Sequence, residues 1–175
     1  MFAKKILVAS FALTVVSVVQ AQDFFDFGQI PGVPDKATVE VDLNPTLIGL
    51  ASQTTRAENP AVADLLAGID GVRVRVYKSL ENVSDVADFI AEVSNRLERA
   101  DWQQVVSVQE DRTVKVYLRG DDDTVTGLTA MVLGDAEAVF ITVAGTLNAE
   151  LLAQTMSTLG GGEMLASLGQ LNFGN

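Results

Sequence analysis

The stretch 103–147 constrains this chain more than any other, because it reads as four consecutive β-strands joined by tight, polar turns. Gln103-Gln104-Val105-Val106-Ser107-Val108-Gln109 is rich in β-formers and ends at Glu110-Asp111-Arg112. Val114, Val116 and Leu118 alternate with Lys115, Tyr117 and Arg119, the period of two that puts successive side chains on opposite faces. Gly120-Asp121-Asp122-Asp123 supplies turn chemistry, a third strand runs over 125–133, and Gly134-Asp135-Ala136-Glu137 returns the chain into a fourth over 138–144. The last two strands are apolar on both faces, which places them centrally in a sheet or against a partner on their second side.

The ends read differently. Lys4 and Lys5 precede an apolar run over 6–19, and Val19-Gln20-Ala21 places small residues where signal peptidase cuts. Residues 1–21 therefore read as a secretory signal peptide, the run being too short for a stable membrane span. The sequence contains no cysteine, hence no lipoprotein attachment site and no disulfide. The expected location is periplasmic or secreted, with no membrane span after cleavage. The net charge of −11 becomes more negative once the two lysines leave, which argues against nucleic acid and against adsorption to anionic lipid. Residues 22–36, with three phenylalanines among Gly and Pro, read as a linker or arm that either packs back on the domain or docks a partner.

Residues 37–159 read as a single domain and 160–175 as a Gly-rich tail. Thr38 to Leu43 alternates as a strand with its valines inward. Asn44-Pro45 and Asn59-Pro60 each place an N-cap before a proline at the first helical position. A strand follows over 72–77, with Arg73, Arg75 and Tyr77 outward. Ser84 is read as the cap of an amphipathic helix carrying Val86, Phe89, Ile90, Val93 and Leu97. Asn148 is read as the cap of a final helix with Leu151, Leu152, Met156 and Leu159. This order predicts an α+β fold, a two-layer sandwich with a mainly antiparallel sheet of about six strands and helices on one face.

Several of these runs together resemble a known family. They are Gly71-Val72-Arg73-Val74-Arg75-Val76-Tyr77, then a helix, then Trp102 leading Val105 to Val108, then Val114 to Arg119, and Gly145 before an acidic helix. The family is domain of unknown function 4252, and the resemblance covers roughly Val39 to Leu159. It implies an exported bacterial protein, in a family with many lipoproteins and no assigned activity. The missing cysteine departs from the lipoprotein pattern, and the resemblance implies no catalytic residues.

Composition removes much chemistry. Without histidine or cysteine there is no imidazole base, no thiolate and none of the usual zinc or haem ligand sets. No phosphate-cradling glycine motif is present. Asp121, Asp122, Asp123 and Asp135 lack the spacing of a calcium loop and are explained by turn chemistry. No cofactor, metal site or catalytic residue is expected.

The remaining candidate is a partner or ligand surface on the outward side of two strands: Arg73, Arg75, Tyr77, Lys115, Tyr117 and Arg119. The expected function is a non-catalytic envelope protein that binds another protein, or a second copy, through the open sheet face. One alternative is an anion-binding module using the same cations; a carboxylate-based hydrolase is another. Internal pairing of the arginines with Glu40 and Asp42 is the competing structural explanation of the stripe. Met131, Leu133 and Phe140 are either a dimer or partner patch or covered by the Phe-rich arm.

Overall fold

The computed structural model describes residues 24–121, 123–148 and 150. Its elements are β1 (Val39–Leu43), α1 (Pro45–Thr55), α2 (Pro60–Ala67), β2 (Ile69–Lys78), α3 (Val83–Arg99), β3 (Gln103–Gln109), β4 (Thr113–Gly120), β5 (Thr124–Leu133) and β6 (Glu137–Asn148). The strands form one antiparallel sheet in the order β1-β2-β6-β5-β4-β3. This is the expected α+β sandwich of six strands. The meander β3 to β6 pairs in sequence, and β2 closes onto β6. β6 is longer than its expected span and Asn148 is its last residue. The final helix over 151–159, the leader 1–21 and the tail 160–175 lie outside the described residues.

The helix ends follow local chemistry. Asn44 Oδ1 accepts from the Leu47 amide at 3.0 Å and Asn59 Oδ1 from the Val62 amide at 3.2 Å, each ahead of a proline. A buried hydrogen bond from Ser52 Oγ to the Ala63 carbonyl, at 2.8 Å, ties α1 to α2. The cap of α3 is Asn82 and not Ser84: its side chain accepts from the Ser84 and Asp85 amides. Asn82 stands just before the helix on extended backbone, the position a cap needs, whereas Ser84 already lies within the first turn. At the other end Asp101 takes a positive φ of 60°, and the Trp102 amide folds back to the Leu97 carbonyl at 3.0 Å. That turn delivers the Trp102 ring onto β5.

Cross-strand register sorts the sheet into two unlike faces. On one, the partners form three rows: Val39-Val76-Val139-Val132-Val114-Val108, Val41-Val74-Ile141-Ala130-Val116-Val106, and Leu43-Val72-Val143-Leu128-Leu118-Gln103. On the other, Glu40-Arg75-Phe140-Met131-Lys115-Ser107 and Asp42-Arg73-Thr142-Thr129-Tyr117-Gln104 run from charged through apolar to polar. The second face is the one covered by α3, whose Val86, Phe89, Ile90, Val93 and Leu97 pack with Tyr77, Tyr117, Met131 and Phe140. Burying a side chain of that size contributes about 1.5–3 kcal/mol, so this aromatic layer is the main core.

The Phe-rich arm completes the layer. Phe27 is buried with its ring centroid 5.0 Å from that of Phe140, and Phe25 lies edge-on to Phe27 and Trp102. The Gly32 carbonyl accepts from the Glu81 and Asn82 amides, pinning the arm beside the start of α3. Gly32 needs its missing side chain: φ is +73°, and a Cβ would run into the Asn82 carbonyl. The arm therefore packs back on the domain.

Two packing details lead to predictions. Trp102 lies over Gly127, where an added Cβ would come within 2.6 Å of its ring. Gly127→Ala is expected to cost about 1–3 kcal/mol by overpacking, read from the urea midpoint. Thr129 Oγ1 is fully buried with no hydrogen-bond partner. Replacing it with the near-isostere, Thr129→Val, is expected to raise stability by about 1 kcal/mol in the same assay.

Candidate functional site

The six residues of the expected stripe do share one face, but it is the face beneath α3 and the arm. Tyr77 is buried, its ring 6.2 Å from Phe140. Tyr117 is fully buried and its hydroxyl donates to Gln104 Oε1 at 2.7 Å. Lys115 Nζ donates to Ser94 Oγ at 3.2 Å, and Ser94 donates in turn to the Ile90 carbonyl at 2.7 Å. Arg119 is half-buried at the end of β4. The stripe is also divided: β6 and β5 stand between β2 and β4, separating the two triplets by about 14 Å. Phe140, Thr142, Thr129 and Met131 fill the gap. The expectation of an open cationic stripe is corrected on these points. The physical reason is that alternation says which residues share a face, but not which face a helix will cover.

The arginines are neutralised by β1. Arg75 reaches Glu40 at 3.0 Å and Arg73 reaches Asp42 at 3.3 Å, as the register places them directly opposite. Arg73 also lies 4.5 Å over the Phe24 ring, and Arg96 of α3 lies 5.1 Å over Phe25. An anion at this edge would have to compete with both carboxylates. Among the described residues, a hollow of about 20 Å³ lies between the arm and Arg73, Arg75 and Thr142, and one of about 70 Å³ lies beside Lys115. Neither has the several hundred Å³ that enclosing an organic ligand takes. Among the described residues no three carboxylates gather as a metal site. Asp121 Oδ1 is used to hold its own turn, accepting from the Asp123 and Thr124 amides.

The surface that alternation alone did not single out is the aliphatic face. Its buried centre is Val76, Val132 and Val139, packed with Val39, Val74, Val114 and Ile141, and every described member of that cluster is a strand residue. The third row is the least covered: Val72, Val143, Leu128 and Leu118 are half-buried and Leu43 is exposed. α1 starts directly after Leu43 and adds Leu47 and Leu50, 50% and 58% exposed. The signal for this was present as three exposed leucines around Asn44-Pro45, but a short helix with apolar residues reads first as core. Among the described residues, no helix is long and apolar enough to cross a membrane.

Comparison with known proteins identifies a family. A family model described as "Domain of unknown function (DUF4252)" matches residues 34–155. No curated protein matches the chain.

Tyr117 gives this site a pH signature. Burial pushes its phenol above the ordinary 10.0; the nearby Ser94 hydroxyl offsets part of this, and the charge of Glu98 raises it further. The folded state thus favours the neutral phenol. Its contribution is fully present below the unfolded value and is lost as pH rises through the raised folded one. Tyr117→Phe is expected to cost about 1 kcal/mol at neutral pH through the lost bond to Gln104. That gap should narrow in denaturant titrations above pH 10, because only the wild type carries the ionisable group.

Proposed function

From a chain that belongs to the DUF4252 family, whose description assigns no activity, we propose an exported, non-catalytic protein that acts by binding another protein. The observation that carries the reading is an exposed leucine rim: Leu43 at the β1 end of the third row of the aliphatic face, and Leu47 and Leu50 in α1, which starts two residues later. Exposed leucines close together in the chain, following a row of half-buried aliphatic residues, are what a contact surface offers before its partner arrives. The cationic alternative has less support, since Arg73 and Arg75 already hold carboxylates. Catalysis has less still, because the sequence lacks histidine and cysteine.

The partner's chemistry follows from charge. A chain at −11 attracts a protein that presents an apolar segment flanked by basic residues. The export part of the proposal rests on the Lys4-Lys5, apolar-run and Val19-Gln20-Ala21 pattern, and amino-terminal sequencing of protein recovered from the cell should begin at Gln22.

A photo-crosslinking residue at Leu47 in the full chain, in the cell that makes it, tests the surface. The expected result is one dominant protein adduct. That protein, once purified, should bind about tenfold or more weakly to Leu43→Glu/Leu50→Glu and lose affinity as salt rises. Adducts confined to residues 149–175 of the same chain, or no adduct from a folded and abundant protein, would overturn the reading.

A further inference from the structure

The two edges of the sheet differ in their protection. β1 carries Glu40 and Asp42, both ion-paired to β2. β3, at the other edge, is Gln-Gln-Val-Val-Ser-Val-Gln, with no charge and no proline. All of its residues except Val106 are exposed, Val105 and Val108 at 51% and 40%. Natural sheets blunt their edges with lysine, proline, inward charge or bulges, because an edge strand presents a row of unpaired amides and carbonyls. β3 has one such device, a register shift between Gln104 and Val106, which leaves Val106 to Gln109 regular.

We propose that β3 pairs antiparallel with β3 of a second copy about a twofold axis at Ser107, joining the two sheets edge to edge. Composition argues for a second copy: β3 is uncharged, so its own copy brings no like charge against it in a strongly acidic chain. A twofold axis normal to the sheet keeps each face on its own side, so only residues of like face can oppose one another. Centred on Ser107, it sets Val106 against Val108 of the second copy on the aliphatic face, and Ser107 against Ser107 on the other. Cross-strand β-branched pairs and hydroxyl pairs are both favourable.

The flanks are compatible as well. Glu110 and Asp111 come after the end of β3 at Gln109, in the turn to β4, so the strand that would pair carries no carboxylate. In a chain at −11, this uncharged strip is where two copies can approach without strong repulsion. Pairing also runs the first two aliphatic rows on into those of the second copy. The proposal is independent of the leucine rim, which lies at the β1 end of the sheet.

The absence of cysteine makes the test direct. Ser107→Cys introduces one thiol at the proposed axis, and Glu40→Cys introduces one on the opposite edge as a control. Purified full chain should show a dimer mass by light scattering that falls to monomer on dilution. Under mild oxidation Ser107→Cys should cross-link to a dimer many times faster than Glu40→Cys. Val108→Lys, at an exposed position, should keep the far-UV spectrum and weaken self-association about tenfold or more. A monomer at every concentration overturns the proposal. So does a dimer that Val108→Lys leaves intact, or one in which the two cysteine variants cross-link equally. A leucine-rim partner found alongside any of these results leaves the preceding reading standing, so the two fail separately.

Discussion

Register across the antiparallel sheet is the constraint on which the rest of this structure depends. Directly opposed residues share a face, so pairing Val39 with Val76, Val76 with Val139 and onward to Val108 commits all six strands at once. A slip of one residue in β4 or β2 would bring Lys115 or Arg75 into the aliphatic rows and push valines under α3. Such a slip would bury charge without a partner, which is why the aliphatic rows hold the sheet in a single alignment.

α3 then had two apolar faces to choose from, and it covers the mixed one. That face holds the larger side chains: Phe140, Met131, Tyr77 and Tyr117 together offer more area to bury than a row of valines. Its polar members are placed where they can be satisfied. The arginines sit at the β1 edge facing Glu40 and Asp42, and Tyr117 and Lys115 sit near β3 and α3, facing Gln104 and Ser94. Thr129, in the middle of the face, is the exception. The arm supplies what a single helix cannot, filling the β2-β6 side with Phe24, Phe25 and Phe27. The aliphatic face, by contrast, gathers its described residues from strands alone, and its least covered row runs into the exposed leucines of α1.

Much of the fold was legible. Period-two runs marked the strands, Asn-Pro pairs marked two helix starts, and the stripe from Val86 to Leu97 marked α3. The co-facial placement of Arg73, Arg75, Tyr77, Lys115, Tyr117 and Arg119 was legible too, as was the competing pairing of the arginines with Glu40 and Asp42. What was not legible was the separation of β2 from β4. A chain in which β2 pairs with β6 inserts two strands between the triplets, and nothing local to either run reports a contact between residues as far apart as Val76 and Val139.

The sequence by itself determined which side chains travel together: alternation is a property of extended backbone and holds wherever a strand is placed. It also determined which chemistries are missing, since no fold can supply an imidazole or a thiolate that the chain lacks. Only the tertiary structure decided strand order, the face that α3 and the arm cover, and which strands lie at the two edges of the sheet. Those choices compare the burial of one whole face with another and one long-range pairing with its competitors. Such totals exist only once all six strands are in place.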